Sequence, residues 1–328
     1  MADLPDFQQV IVLFNPASTR AKLSRQRIKE LKRLYPHKVE VVETSADGRE
    51  ANLELIRKLG HRLKPHSLLC VAAGDGTVSL AVEALAATGK QALPRAGRQA
   101  VLFPMWGGNA NDLAHMLNGL VLRRRMATFV AKATVVPIHP LVCTIKDIEG
   151  KTTTRIAACY ITFGFSASMA RHLNDADYRK KASHRSLANK LLHELSHLFK
   201  AIKQAERFSY SENHQTHRAY ELIFANGSRI AKVDRLPISL SEKYFYKNNL
   251  EYKRFGAIVN KLIAVISDKQ PGHKLNRQVH LNIHDPVWAQ VDGEPLAVEA
   301  GSRVTISVNS RPFFALASSL RQPSDKSS

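Results

Sequence analysis

From Gln8 to about Leu120, short β-branched runs alternate with stretches whose apolar residues recur every three or four positions. The runs Val10 to Phe14, Lys38 to Thr44, Ser67 to Ala73 and Ala100 to Pro104 predict strands. Between them Ile28, Leu31 and Leu34, then Leu53, Ile56 and Leu59, then Val78, Val82 and Leu85 stand at helical spacing. Strand and helix in turn predict a parallel sheet covered by helices. After Pro137 the texture changes to longer strand candidates: Leu141 to Lys146, Thr154 to Phe163, Arg218 to Ala225, Gln278 to Ile283 and Arg303 to Val308. Turn signals separate them at Glu149-Gly150, Asn226-Gly227 and Asp292-Gly293. The expected organisation is an α/β domain over residues 1–136 and a β-rich domain over 137–322, with a polar, disordered tail at 323–328. A helical insertion is expected near 169–206, where Leu187, Leu191, Leu195, Leu198 and Ile202 form one apolar stripe between Ser186 and Ala205.

The chain has 328 residues, 44% of them hydrophobic, enough for two domains that fold without staples. Cys70, Cys143 and Cys159 are odd in number and set in apolar runs, so they are expected to be free and buried. No apolar run is long enough for a membrane span, and the start MADLPDF has neither the basic nor the apolar region of a signal peptide, which predicts a cytoplasmic protein. A net charge of +20 favours anionic partners. The clusters Arg123-Arg124-Arg125 and Arg179-Lys180-Lys181 come with no aromatic-interleaved RNA motif and no Cys/His finger, so nucleic acid is not expected.

Candidate chemistry begins at Gly74-Asp75-Gly76-Thr77, which lies between the third strand and the helix that starts near Val78. Glycines there would permit positive φ and close backbone approach, and a helix start offers N–H groups to a phosphate. The chain holds no GxxxxGK[ST], a serine (Ser79) stands where a dinucleotide fingerprint has its third glycine, and no acidic residue falls between Glu83 and Asp112 to hold a ribose. A second glycine turn, Trp106-Gly107-Gly108-Asn109, follows the fourth strand. In a parallel sheet both turns emerge on the carboxyl edge, together with Asn15-Pro16 after the first strand and Thr44 after the second.

These residues resemble the diacylglycerol kinase catalytic domain family, which includes bacterial lipid kinases and sphingosine kinases. Asn15-Pro16 resembles its first-strand Asn-Pro motif, Gly74 to Thr77 its Gly-Gly-Asp-Gly-Thr loop, Gly108 to Ala114 its Gly-Thr-Ala-Asn-Asp-Phe-Ala segment, and Val291 to Pro295 its Asp-Gly-Glu turn. The resemblance implies a nucleotide-binding α/β domain of the NAD kinase/diacylglycerol kinase type, a C-terminal β-sandwich, and ATP-dependent phosphorylation of a lipid hydroxyl in the cleft between them. Carried over, Asn15, Thr44, Gly74, Asp75, Gly76, Thr77, Gly108 and Asn109 would line the nucleotide. Glu294 would accept the proton of the attacking hydroxyl, with Asp75 sharing the work as base or metal-linked carboxylate. Magnesium should accompany ATP, with protein ligands left unassigned. A lipid substrate at an anionic membrane surface is the implied partner, with peripheral attachment to the inner membrane face; a homodimer is left open.

This sequence departs from the family at several positions. Ala17 follows Asn15-Pro16 where a glycine is usual, Ala73 replaces the first glycine of the phosphate loop, and Asn109 replaces threonine. Ser166 stands where the family's Gly-Phe-Asp-Ala has its acid, and Leu236 to Leu250 lacks the Asp-Gly pair that in relatives contributes to a magnesium site. Two further motifs carry other chemistries. His193-Glu194-Leu195-Ser196-His197 matches the zinc-protease HExxH, but helical periodicity turns both histidines away from the apolar stripe, onto a solvated face. Gly164-Phe165-Ser166-Ala167-Ser168 falls one glycine short of a hydrolase elbow. Beside the lipid kinase, two alternatives stand: a soluble NAD kinase-like phosphotransferase and a noncatalytic nucleotide or membrane binder.

Overall fold

The computed structural model describes residues 6–18, 20–87, 92–107, 111–118, 126–130, 132–174, 206–227, 229–230, 233–234, 243–251 and 275–318. The expected helical stripe at 186–205, the HExxH motif, both basic clusters and the tail lie outside them. The first half alternates as the apolar pattern predicts, through β1 (Gln9–Phe14), α1 (Ala21–Leu34), β2 (Val39–Glu43), α2 (Arg49–Arg62), β3 (Ser67–Ala72) and α3 (Asp75–Ala86). It continues through α4 (Arg95–Arg98), β4 (Val101–Pro104), α5 (Asp112–Asn118), α6 (Met126–Val130) and β5 (Ala133–Ile138). β1 pairs in parallel with β2 and β3, and β3 with β4, so the carboxyl ends of all four strands share one edge.

The central strands of this sheet are apolar from Val10 to Phe14, from Leu68 to Ala72 and from Val101 to Pro104 because helices cover both of its faces. Ile11 and Leu13 pack with Leu53, Ile56, Val78, Val82 and Leu85 of α2 and α3. Val10, Val12 and Phe14 point the other way, onto Ile28 and Leu31 of α1 and Met126 and Phe129 of α6. Each such side chain, fully buried, contributes about 1.5–3 kcal/mol.

The second half is antiparallel. Its strands are β6 (Leu141–Lys146), β7 (Thr152–Ala157), β8 (Tyr160–Gly164), β9 (Phe208–Glu212), β10 (Gln215–Ala219), β11 (Glu221–Ala225), the short ladder β12 (Arg229–Ile230) with β13 (Val233–Asp234), and β14 (Phe245–Leu250). Then come β15 (Leu275–Asn276), β16 (Gln278–Ile283), β17 (Val287–Val291), β18 (Glu294–Val298), β19 (Arg303–Val308) and β20 (Phe313–Ser318), with α7 (Phe165–Asn174) after β8. Two six-stranded sheets form, in the orders β10-β9-β16-β19-β6-β7 and β15-β14-β11-β8-β17-β18. Leu141, Cys143, Val279, Leu281 and Ile306 from the first meet Ile161, Phe163, Leu222, Phe224 and Ala289 from the second in one core, so this half is a β-sandwich. All three cysteines are free and buried.

Three expectations need correction. Thr154 to Phe163 is not one strand: it breaks at Ala158-Cys159, and β7 and β8 lie in different sheets. The break is held by Asp292, whose carboxylate accepts the N–H groups of Ala158 (2.6 Å), Cys159 (3.0 Å) and Tyr160 (2.9 Å). Likewise Arg218 to Ala225 breaks at Tyr220, whose N–H goes to the Leu250 carbonyl and whose own carbonyl receives the Phe165 N–H. The last strand, β20, placed by its sequence position in the second half, joins the first sheet, parallel to β4 and antiparallel to β5.

The chain therefore passes between the halves twice, at His139-Pro140 and after Asn309, and both crossings are stapled. Asn309 donates its amide to the carbonyl of Ala86 at the end of α3 (2.9 Å), and its own carbonyl lies 2.9 Å from His139 Nδ1. Asn226 donates its amide to the carbonyls of His139 (2.6 Å) and Ala158 (3.2 Å). The corner at 158–160 also packs sideways: Ile156, Ala158, Cys159 and Tyr160 belong to the same apolar cluster as Val78, Ala81, Val82 and Leu85 of α3.

Candidate active site

The four parallel strands deliver their loops to one edge. Asn15 follows β1, its amide oxygen accepting the Ala17 N–H at 2.9 Å, and Thr44 follows β2 with its N–H on the Phe14 carbonyl at 2.9 Å. After β3, Gly74 is the N-cap of α3, and Asp75, Gly76 and Thr77 form the first turn of the helix. Gly74 has φ −79° and ψ 177°, an extended conformation open to any residue, so the expected positive φ does not occur. The need for glycine at 76 is spatial: a Cβ there would collide with the Oε1 of Glu294. No side chain caps α3, which leaves the positive end of the helix turned to the crevice.

The second glycine turn is built against the first. A Cβ on Gly107 would run into the backbone N, C and O of Ala73, so only glycine lets the loop after β4 lie on the end of β3. The Gly107 carbonyl accepts the Arg20 N–H at 3.3 Å, which ties in the loop after β1. Gly108 and Asn109 lie outside the described residues. Beyond them the Asp75 carboxylate accepts the N–H groups of Asn111 (2.9 Å) and Asp112 (3.0 Å), so the start of α5 hangs from the start of α3. Burial pushes the Asp75 carboxyl upward against these N–H groups, and the neighbouring Asp112 adds to the rise. The carboxylate thereby braces the two loops against each other.

Glu294 comes from the other half of the molecule. Asp292 (φ 48°) and Gly293 (φ 91°) are the two central residues of a tight hairpin between β17 and β18, in which Val291 pairs with Glu294. Positive φ at both positions is the type I′ geometry, which asks for an Asp-Gly or Asn-Gly pair. The turn sets the Glu294 carboxylate against Gly76, in the crevice between sandwich and α/β layer. Behind it Asp292 is buried (7% exposed), and burial outweighs its three N–H partners and pushes its carboxyl up to about 7. Tyr160 beside it is raised as well, first by burial and then by the charges of Asp112, Asp292 and Asp75.

Thus Asn15, Thr44 and the turn from Gly74 to Thr77 lie along one edge of the sheet, and Glu294 meets that edge at Gly76. Two residues that shape it, Gly107 and Asp292, were not singled out as site residues in the sequence. Gly107 was visible as half of a Gly-Gly pair. Asp292 reads in sequence as a turn residue, and the three N–H groups it accepts lie more than 130 positions away. Among the described residues no group of three or more His, Cys, Asp or Glu side chains could hold a metal ion. Asp75 and Asp292 already have both carboxylate oxygens on backbone donors, so the site fits a cation carried by nucleotide phosphates better than a cage made by the protein. Ser166, the serine of the near-elbow, bonds to the buried Glu221, to Thr162 (2.8 Å) and to Gln290 (3.3 Å), with no histidine among these partners.

Comparison with known proteins agrees with this geometry. Residues 9–136 match the family model for the diacylglycerol kinase catalytic domain, which bears out the resemblance carried by the motifs. No curated protein sequence matches the chain. Among solved structures, a putative diacylglycerol kinase from Bacillus anthracis superposes with a TM-score of 0.64 at 14% identity, covering 96% of this chain and 99% of that one. Another B. anthracis structure titled as a diacylglycerol kinase gives 0.65 at 15%, covering 97% and 99%. Yeast NADH kinase complexed with NADH gives 0.51 at 13%, covering 95% and 84%. At these identities the superpositions establish the shared fold, and residues 9–136 match the model of a kinase catalytic domain.

Proposed function

We propose that this chain, whose first domain is of the diacylglycerol kinase catalytic type, transfers the γ-phosphoryl group of ATP to a hydroxyl of a diacylglycerol-like or sphingoid lipid. The observation that carries the reading is the contact of Glu294 with Gly76, which sets a carboxylate from one half of the molecule against the phosphate-facing helix start of the other. In this reading the first turn of α3 and the loops bearing Asn15, Thr44, Gly108 and Asn109 orient the nucleotide. Glu294 takes the proton of the acceptor hydroxyl as its oxygen bonds to the γ-phosphorus and the bond to the β-phosphate oxygen breaks; ADP leaves, and Glu294 later returns the proton to water. Asp75 keeps the two glycine turns in register and does not itself take the proton. Magnesium bound with the nucleotide would neutralise charge on the phosphate oxygens.

The test is a substrate screen with labelled ATP and magnesium, offering a lipid extract, purified diacylglycerol, sphingoid base and NAD. Label on a lipid is the expected result, and Glu294→Gln should lower kcat by about 10²–10⁴-fold, the usual worth of a general base. Label on NAD and on no lipid would transfer the reading to the soluble phosphotransferase, which the yeast NADH kinase fold keeps in view. Nucleotide binding with no transfer to any acceptor would leave a noncatalytic binder.

A further inference from the structure

The base must stand at a fixed distance from the phosphate-facing helix, yet it sits on a hairpin turn of the other domain, and turns are where backbones are least constrained. Asp292 adjoins the glycine that precedes Glu294, and every polar contact the structure gives it runs backward into the fold. Its carboxylate accepts three consecutive N–H groups, from Ala158, Cys159 and Tyr160, and its own N–H donates to the Tyr160 carbonyl at 3.0 Å. The corner that supplies those donors is itself immobilised. The Cys159 carbonyl accepts the Asn226 N–H at 2.8 Å, the Ala158 carbonyl accepts the Asn226 amide, and all three corner residues pack into the cluster that holds α3.

These contacts form a closed ring. From Glu294 the chain runs back through Gly293 to Asp292, from the Asp292 carboxylate to the corner at 158–160, from the corner through packing to α3, and from the first turn of α3 at Gly76 back to the Glu294 carboxylate. A ring of this kind fixes a distance that neither domain could fix alone.

We infer that Asp292 is a positioning residue whose carboxylate clamps the Asp292-Gly293 turn to the 158–160 corner and thereby sets Glu294 at its working distance from Gly76. The inference deepens the reading of Glu294 as the base and rests on it for its catalytic consequence; the clamp itself rests on hydrogen bonds alone. Asp292 is buried behind the turn with its carboxylate on the N–H groups of the corner, away from the Gly76 side that Glu294 faces. Its effect on rate passes entirely through Glu294, and that separates it from a residue that merely stabilises the fold.

Four full-length proteins test this: wild type, Asp292→Asn, Glu294→Gln and the double variant. The asparagine keeps the shape of the side chain but can accept at only one oxygen and brings an NH2 to face backbone donors. Asp292→Asn should lower kcat by about 100-fold, the usual effect of a misplacement near 1 Å, with the KM for ATP within about twofold of wild type. The double variant should be no slower than Glu294→Gln alone. Losses that multiply would overturn the inference, because Asp292 would then act independently of the base. Hydrogen exchange gives an arm that needs no activity: the amides of Ala158, Cys159 and Tyr160 should exchange at least about tenfold faster in Asp292→Asn than in wild type, while those of β3 stay unchanged. Unchanged exchange at 158–160 would overturn the clamp. A Glu294→Gln protein as active as wild type would instead remove the base assignment, and with it the catalytic half of the inference, while the exchange result still decides the clamp. Should Asp292→Asn fold poorly, Asp292→Glu, which keeps the charge but lengthens the arm, serves in its place with the same expectations.

Discussion

At Gly76 the requirement for glycine is set by a side chain from the other domain. An alanine there suits the first turn of α3 by propensity, and its φ is not a left-handed one. Its Cβ, however, takes the place of the Glu294 Oε1. That oxygen is the end of a flexible side chain and can move aside. Gly76→Ala is therefore expected to leave the melting temperature unchanged or slightly raised, by the equivalent of up to about 1 kcal/mol, while kcat drops at least about tenfold. A variant that lost stability and activity together would show that the site was crowded for another reason. Of the two reasons for glycine that the sequence suggests, positive φ does not apply at 76, and the close approach that does apply is made by a side chain from across the cleft. A contact between residues 76 and 294 leaves no mark on either local sequence. Glu221 is a comparable case. It reads as one more strand residue, yet it lies fully inside the fold, holding the N–H and hydroxyl of Ser166, and burial pushes its carboxyl up to about 8. A folded-state value above the unfolded one means that the native protein holds the proton more tightly. The stability Glu221 contributes is then complete below about pH 4.5 and is lost as pH rises toward about 8, at a rate of up to ~1.4 kcal/mol per pH unit. Urea midpoints of wild type and Glu221→Gln across that range should diverge with rising pH, the wild type falling relative to the variant; a constant difference would show that the carboxyl titrates as it does in water.

Among the elements, the parallel strands were the most legible, because strands covered on both faces read as near-continuous apolar runs, as β3 does from Leu68 to Ala72. The two long strand candidates failed for a reason equally physical. Thr154 to Phe163 has the composition of one uninterrupted strand, and it bends where the Asp292 carboxylate takes the N–H groups of Ala158, Cys159 and Tyr160. Elements that meet without a regular ladder depend on single residues. The loop after β4 reaches the end of β3 only because Gly107 has no side chain, and the clash that a Cβ would create there is with backbone, which cannot move aside as Glu294 can. Gly107→Ala should therefore cost about 2–3 kcal/mol, as overpacking a close backbone contact does, and should weaken nucleotide binding in whatever protein remains folded. Calorimetry on the pair of glycine variants gives the comparison: loss of stability at 107, loss of turnover at 76. Equal stability losses would mean that the two glycine turns play the same part.

On the scale of the whole molecule, the two halves are joined twice and stapled at both joins, through Asn309 on Ala86 and Asn226 on His139 and Ala158, so the cleft has a defined width. The return of β20 to the first sheet was not legible in the sequence, because the run from Phe313 to Ser318 is apolar enough for either sheet and its place follows from pairing with β4 and β5. Charge was legible from composition alone, and it bears on how such a cleft would meet a lipid. No helix among the described residues is long and apolar enough to cross a membrane. A net charge of +20 supplies the attraction, at about 1 kcal/mol for each Lys or Arg held near an anionic surface. The protein is therefore expected to sediment with vesicles rich in anionic phospholipid and not with vesicles of neutral phospholipid. Raising salt from about 0.1 M to about 0.5 M, which shortens the screening length from about 10 Å to about 4 Å, should release most of it. Transfer to a lipid acceptor should follow the same salt dependence when the acceptor sits in anionic vesicles, and should lose it when the acceptor is dispersed in neutral detergent. Salt-insensitive binding, or binding to both kinds of vesicle alike, would shift the interaction from charge to an apolar surface and leave the excess of Lys and Arg without a part in meeting the substrate.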